Sequence, residues 1–389
     1  MNAPATKKLP TTWLILGERA GDNAQVLALG RALGWPCTVK QIRYDETCTI
    51  DFKDRGASLT GVDLAASTPL VGPWPDALIA IGRRSVPVAR WIRAQSPSPI
   101  LHVHLGRPRV ELELFDLVVT TPQYNLPEAG NVIEITLPFV SVDAEALGRA
   151  AGGWHDRFAQ VPRPWTAVMV GGPTPQLAFG SAEAERMLAE LVAFRSKAGG
   201  SLLVTTSPRT PAEVGEALKS GLRGAAPSEH LFLPFVRDGD NPYLAMLALA
   251  DSFVISVDSA SMVAEAATRQ KPIHLFHLSK IPPKAKPGLK STLSRNWRLR
   301  RKARQDAELP ADPLDKLYDF WTRRGKARPR RDIDQLENRL ISLGIAQPLT
   351  DPGPAGGEKV TAAFAELGRE REEVLRRIHA LWADRTSSI

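Results

Sequence analysis

The sequence predicts an α/β protein made of two doubly wound, Rossmann-like halves of similar size, with a helical tail behind them. Three observations carry this. Short apolar strands that end in glycine or small polar residues alternate with helical patterns through most of the chain. The alternation lapses over 143–163, where Gly152-Gly153 and Pro162 read as a connector, and restarts at Trp165. Behind the second half, the apolar pattern is helical only. Strands alternating with helices imply parallel pairing, because a parallel connection needs a crossover long enough to hold a helix.

In the first half, Trp13 to Leu16 forms a strand running into Gly17. The helix behind it carries Val26, Leu27, Leu29 and Leu33 and stops at Gly34. Ala77 to Ile81 is a strand ending at Gly82, and its helix carries Val86, Val88, Ala89, Trp91 and Ile92. Ile100–Leu105 and Leu117–Thr120 are two further strands. In the second half, Trp165–Val170 closes at Gly171-Gly172-Pro173. Ser181 is the expected cap of a helix that Gly199-Gly200 stops. Ser201–Thr206 is a strand leading into Ser207-Pro208-Arg209-Thr210. Asn241-Pro242 opens a helix to Ala250, with proline at its first position. Phe253–Val257, Ser261–Arg269 and Ile273–Phe276 read as strand, helix and strand. In the tail, Asp332–Leu343 and Lys359–Trp382 are amphipathic helices on either side of a Pro/Gly linker, 348–357. The expected division is thus 1–155, 156–290 and 291–389.

Composition bounds the function. The chain has 389 residues, 43% of them apolar and 24% charged, enough for a sizeable core in each half. Mean hydropathy is −0.17, and no apolar run approaches the roughly 18–20 residues that cross a bilayer. Two cysteines, Cys37 and Cys48, lack metal spacing and are too few for a disulfide framework. These features describe a cytoplasmic protein, peripheral at most at the inner face of a membrane. The net charge is +8, but it is concentrated. Residues 280–331 hold 17 Lys and Arg against 5 Asp and Glu, a net of +12, and the rest of the chain is slightly acidic. Such a run is either a solvated surface or an attachment to an anionic one, phospholipid before nucleic acid.

Two stretches carry the chemistry. Gly21-Asp22-Asn23-Ala24-Gln25 follows the first strand, where ligands of doubly wound folds bind. Asp22 there is either a helix cap or a functional carboxylate. The spacing matches neither Gly-x-Gly-x-x-Gly nor a phosphate loop ending in Gly-Lys-Ser/Thr, which disfavours a dehydrogenase or a nucleoside triphosphatase. The second stretch, Asp258-Ser259-Ala260-Ser261-Met262-Val263-Ala264-Glu265-Ala266, joins a strand to a helix. Hydroxyls and unpaired N–H groups at a helix N-terminus suit a phosphate. Glu265, four residues after Ser261, shares its face and suits a pair of ribose hydroxyls. Arg209, beyond the second strand of its half, suits a diphosphate, with Thr205, Thr206 and Ser207 beside it as hydroxyl donors. By spacing alone, a serine-capped helix with an exposed Glu265 and a surface Arg209 are the equal alternatives.

A strand, a Ser-rich turn, Glu-Ala one turn into a helix, and then Lys271-Pro272 before a strand resembles the nucleotide-sugar site of GT-B glycosyltransferases. The first stretch, Asn241-Pro242-Tyr243-Leu244 and the run from Ala250-Asp251 to Ala266 are similar to the mitochondrial-fission Elm family and its bacterial relatives. Phe115 to Val119 and Ser207 to Thr210 fit the same pattern, and Gln270 stands where a glycine is usual.

The resemblance implies two GT-B domains with a central cleft, the acceptor on the first and the nucleotide on the second. It implies transfer of a sugar from a nucleoside-diphosphate sugar. The charge of 280–331 adds the expectation of a membrane-associated or cell-envelope acceptor, and the helix dipole with Ser259, Ser261 and Arg209 the expectation that no metal or other cofactor is needed. Ser259 and Ser261 would hold the diphosphate and Glu265 the ribose, and Asp22 would be the base. Asn23, Gln25, Asp258 and Met262 complete the expected substrate-binding set with Thr206, Ser207 and Arg209. A nucleoside-diphosphate-sugar epimerase on the same fold, or a non-catalytic peripheral membrane protein, is the alternative.

His102 and His104 share one face of a strand but lack a nearby carboxylate or thiolate, so structural, hydrogen-bonded histidines are expected. Trp297, Tyr318 and Trp321, among the basic residues, suit stacking on bases or anchoring at an interface, and no recognised nucleic-acid motif accompanies them.

Overall fold

The structure, a computed structural model, describes residues 9–49, 56–225, 229–282, 297, 300–301, 304, 309–310, 312–327, 331–351 and 358–387. The chain divides into two compact units, 1–141 with 286–332 and 369–389, and 142–285 with 333–368.

The first unit contains β1 (Thr12–Leu16), α1 (Ala20–Leu33), β2 (Cys37–Gln41), β3 (Ala77–Ile81), α2 (Gly82–Gln95), β4 (Leu101–Leu105), β5 (Leu117–Thr120) and β6 (Val132–Glu134). Its six strands are parallel in the order β2-β1-β3-β4-β5-β6. Side chains alternate across β1: Leu14 and Leu16 join Val26, Leu29 and Leu33 of α1, whereas Trp13 and Ile15 join Val88, Ala89 and Ile92 of α2. The order reverses between β1 and β3, which puts the ligand crevice of this unit at their carboxyl ends, beside Gly17 and Gly82.

The second unit contains α3 (Ala144–Phe158), β7 (Trp165–Val170), α4 (Ser181–Ala198), β8 (Ser201–Thr206), α5 (Ala212–Ala225), β9 (Leu231–Phe232), α6 (Tyr243–Leu249), β10 (Ser252–Ser256), α7 (Ala260–Ala267), β11 (Ile273–Phe276) and β12 (Gln347–Pro348). Its parallel sheet runs β12-β11-β10-β7-β8-β9, and the switch falls between β7 and β10. Gly171-Gly172 and Asp258 stand at those two ends. The expected α/β class, two Rossmann-like parallel sheets clad in helices, is what the structure shows.

Several local expectations are corrected. The expected connector contains α3, capped by Asp143, whose carboxylate accepts from the N–H groups of Glu145 and Ala146. Three glycines within it, Gly148, Gly152 and Gly153, mask it in the sequence, but Leu147, Trp154 and Phe158 supply a buried stripe strong enough to hold it. Gly180, not Ser181, occupies the cap of α4, and Pro242, not Asn241, that of α6. The Asn241 amide instead closes a turn onto Val236 and Gly239.

The tail is not a separate third segment. Part of 286–332 and the end of the final helix (Glu358–Ser387) belong to the first unit, and 333–368 to the second. Val374 and Ile378 of that helix are buried with Leu14, Leu29 and Val103, and Glu370 accepts from both the N–H and hydroxyl of Thr136 at 2.7 Å. Gln270, where glycine is usual, takes the left-handed conformation that glycine would favour, with φ 52°.

Candidate functional site

In the second unit the crevice is built around Asp258. Its side chain is wholly buried and accepts from the Gly172 N–H (3.1 Å), the Ser256 hydroxyl (2.7 Å) and the Arg209 guanidinium (2.7 Å). Arg209 remains about half exposed. Ser256 accepts in turn from the Gly171 N–H. A Cβ on Gly171 would sit 2.3 Å from the Asp258 carboxylate, and one on Gly172 would sit 2.3 Å from the Arg209 carbonyl oxygen. The two glycines therefore let the turn after β8 close against β7. That turn is self-braced: Ser207 N–H donates to Thr210 Oγ1, Arg209 N–H to Ser207 Oγ, and Thr210 Oγ1 to the carbonyls of Val170 and Gly171.

One strand over, Ser259 caps α7 by accepting from the Met262 N–H at 3.4 Å. Ser261 and Met262 lie half-buried in its first turn. Glu265 is also half-buried, and the Tyr243 hydroxyl donates to its Oε2. Burial raises the Glu265 carboxyl above its ordinary range and the hydrogen bond from Tyr243 opposes that. The Tyr243 hydroxyl is raised by burial first and by the Glu265 charge second. A carboxylate held at one oxygen keeps the other for a ligand.

The structure thus gathers Ser207, Arg209, Asp258 and Ser259 at the switch point, with Ser261, Met262 and Glu265 along α7. Asp258 is fully engaged with protein groups and orients Arg209. Thr205 is buried, and Thr206 Oγ1 accepts from the Phe235 N–H, which ties down the next loop. The sequence assigns Tyr243 no role in the site. Its signal was its place beside Asn241-Pro242, but only folding brings it to Glu265, 22 residues on.

In the first unit Asp22 lies in the first turn of α1. The cap is Arg19, so the reading of Asp22 as a cap does not hold. Its carboxylate is half-buried and 3.9 Å from where a Cβ of Gly82 would stand. Burial raises its pKa above the usual carboxylate range, opposed by the charges of Arg19 and Arg331. Asn23 bonds both the N–H and carbonyl of Gly17, and Gln25 donates to the Gly21 carbonyl, so these two amides brace the loop. Arg331, from the end of the basic segment, is the residue that sequence reasoning did not single out here.

His102 and His104 are not hydrogen-bonded, contrary to expectation: their four ring nitrogens are buried with no partner among the described residues, and both rings pack on Phe115. Burial keeps them neutral, His102 far below its ordinary range and His104 at about 3. His277, Asp334 and Glu337 bring ligand-type atoms within 4.8 Å of one another. They are joined as ion pairs, His277 to Glu337 at 2.8 Å and Asp334 to Lys280.

Much of the basic stretch 280–331 lies outside the described residues. Within them, Arg300, Arg301 and Arg304 pair with Asp312, Asp319 and Asp315. Tyr318 is buried against Trp297, whereas Leu314, Leu317 and Phe320 are exposed on the helix Pro313–Arg323. Among the described residues no helix is long and apolar enough to cross a membrane.

Comparison with known proteins places this geometry in context. The chain is 28% identical over 226 residues to the mitochondrial fission protein ELM1 of Arabidopsis thaliana, covering 52% of this chain and about half (51%) of that protein. It is 21% identical over 310 residues to an uncharacterized protein of Rickettsia prowazekii (strain Madrid E), covering 68% of this chain and 82% of the relative. A UDP-glucosyltransferase from Polygonum tinctorium, solved in complex with 3,4-dichloroaniline, is 11% identical with a TM-score of 0.46, covering 97% of this chain and 99% of its own. The family model for mitochondrial fission ELM1 matches residues 20–318, a span that contains both Asp22 and the Asp258–Glu265 turn, and the chain belongs to that family.

Proposed function

We propose that this protein is a glycosyltransferase of GT-B type, using a nucleoside-diphosphate sugar. The observation that carries the reading is the second unit's switch point, where a half-exposed Arg209 is aimed by a buried Asp258 beside the N-terminus of α7. A guanidinium, a capped helix end and the Ser261 hydroxyl suit a diphosphate. Glu265, one turn on and oriented by Tyr243, suits the ribose hydroxyls. Asp22 serves as the base in the first unit, its raised pKa matching that task. In the reaction Asp22 takes the proton of an acceptor hydroxyl as its oxygen bonds to the anomeric carbon. The bond from that carbon to the diphosphate oxygen breaks, and the electron pair leaves with the nucleoside diphosphate. Arg209 and the helix dipole offset the leaving charge.

We assign the basic segment to an anionic membrane surface near a lipid-linked acceptor. Its net +12 and the exposed Leu314, Leu317 and Phe320 support that reading. Co-sedimentation with anionic but not neutral vesicles tests it.

The site itself is tested by calorimetry with a panel of nucleoside diphosphates and their sugars. Saturable binding is expected, weakened about tenfold or more by Arg209→Gln and by Glu265→Ala. Silence across the panel would leave the non-catalytic membrane protein as the better reading.

A further inference from the structure

The geometry points to an anion-recognition site in the first unit, in which Arg331, beside the ring of Tyr124, holds a phosphate or carboxylate group of the acceptor next to the hydroxyl that Asp22 activates. It rests on the transferase reading and adds the chemical class of the acceptor.

The sheet register brings the parts together. β3 and β4 are parallel neighbours with Ile81 paired to Leu105, so Gly82 and Gly106 are the first residues past adjacent strand ends. A Cβ on Gly82 would meet Asp22 at 3.9 Å, and one on Gly106 would meet Tyr124 at 3.6 Å. Asp22 and Tyr124 therefore flank two side-chain-free strand ends. The Arg107 and Arg331 guanidiniums lie 5.9 and 6.0 Å from the centre of the Tyr124 ring.

Arg331 is held there by a built support. Its Nε donates to Oε1 of Gln123 at 2.6 Å, and Gln123 is 3% exposed and anchored by its own bond to Thr121. The backbone fixes the same point: the Asp332 N–H donates to the Gln123 carbonyl at 2.7 Å, and Arg324 bridges to Glu111. With Nε occupied, the two terminal nitrogens form no other hydrogen bond among the described residues. They are the pair that grips an oxyanion end-on. The charges of Arg19 first and Arg331 second act on the Asp22 carboxylate, yet neither closes to an ion pair with it. An opposed charge pair held apart suits a ligand that presents a hydroxyl to one and an anion to the other.

Glycerol 3-phosphate, a hydroxyl beside a phosphate, is the probe, with the full chain and calorimetry as the readout. Wild type should bind it, and Arg331→Gln should weaken binding about tenfold or more while nucleoside-diphosphate affinity stays unchanged. Arg331→Lys, which keeps the charge without the fork, should fall between and serves if the Gln variant does not fold. Phosphatidylglycerol vesicles that displace the probe assign a lipid headgroup, and vesicles that do not assign a soluble phosphate. No binding of the probe, or equal binding by wild type and both variants, overturns the proposal. A silent nucleotide panel with intact probe binding would instead overturn the transferase reading alone.

Discussion

Arg209 donates to Asp258 at 2.7 Å, and the two side chains differ completely in environment: the carboxylate is sealed from solvent and the guanidinium is half open to it. A buried charge persists only when paired and hydrogen-bonded, and Asp258 has three donors. Asp258→Ala should strand the Gly172 N–H and the Ser256 hydroxyl and destabilise the protein by about 2–3 kcal/mol, a figure reduced because Arg209 is solvated. Asp258→Asn should cost less stability but free Arg209 from its aim. Urea melts and nucleotide titrations on both variants check this; unaltered nucleotide affinity in a folded Asn variant would sink the positioning role.

Gly172 is the tightest backbone approach in the same crevice. Gly172→Ala should destabilise by about 1–3 kcal/mol and weaken nucleotide binding, because its Cβ displaces the Arg209 backbone. Gly148→Ala, in α3 with nothing near its Cβ, should stabilise by about 0.5–1 kcal/mol. Thermal melts of the pair separate a steric role from a general glycine effect.

Asp22 ionises less readily in the folded protein than in the unfolded chain. Between its unfolded and folded pKa values the unfolded chain has released the proton while the folded protein retains it. Stability therefore falls as pH rises through that window, and the penalty persists above it. Asp22→Asn should raise the melting temperature at neutral pH and lower transferase turnover roughly 10²–10⁴-fold. Wild-type turnover should rise with pH through the folded pKa of Asp22. A variant that melts lower at pH 7 and higher at pH 3 would reverse the sign and refute the assignment.

Ile378 is wholly buried between the final helix and the first sheet. Ile378→Ala should cost about 2–4 kcal/mol and lower the melting temperature by roughly 5–10 °C. Limited proteolysis should then cut first within the final helix or the α1 region it covers.

The local sequence determined the elements that carry their own signal. β7, β8 and β11 were legible to the residue, because a strand buried on both faces reads as an apolar run bounded by glycine or proline. The strand-to-helix turn from Asp258 to Glu265 was legible as a serine-rich run before a helical face, although the helix starts at Ala260, capped by Ser259, and not at Ser261. α3 was not, since its glycines hide a helix that Trp154 and Phe158 stabilise by packing. β2 and β9 were not, since edge strands bury little of their surface.

What only the tertiary structure decided is which residues meet. Charge composition cannot say that Arg331 comes to Gln123, or that Arg300 and Arg304 are already paired, because those neighbours are set by chain return and not by spacing. Tyr243 reaches Glu265, Arg209 reaches Asp258, and Ile378 enters the first core only once parallel sheets impose their register. Periodicity encodes the face a residue presents; which group it meets depends on which strand is placed beside it.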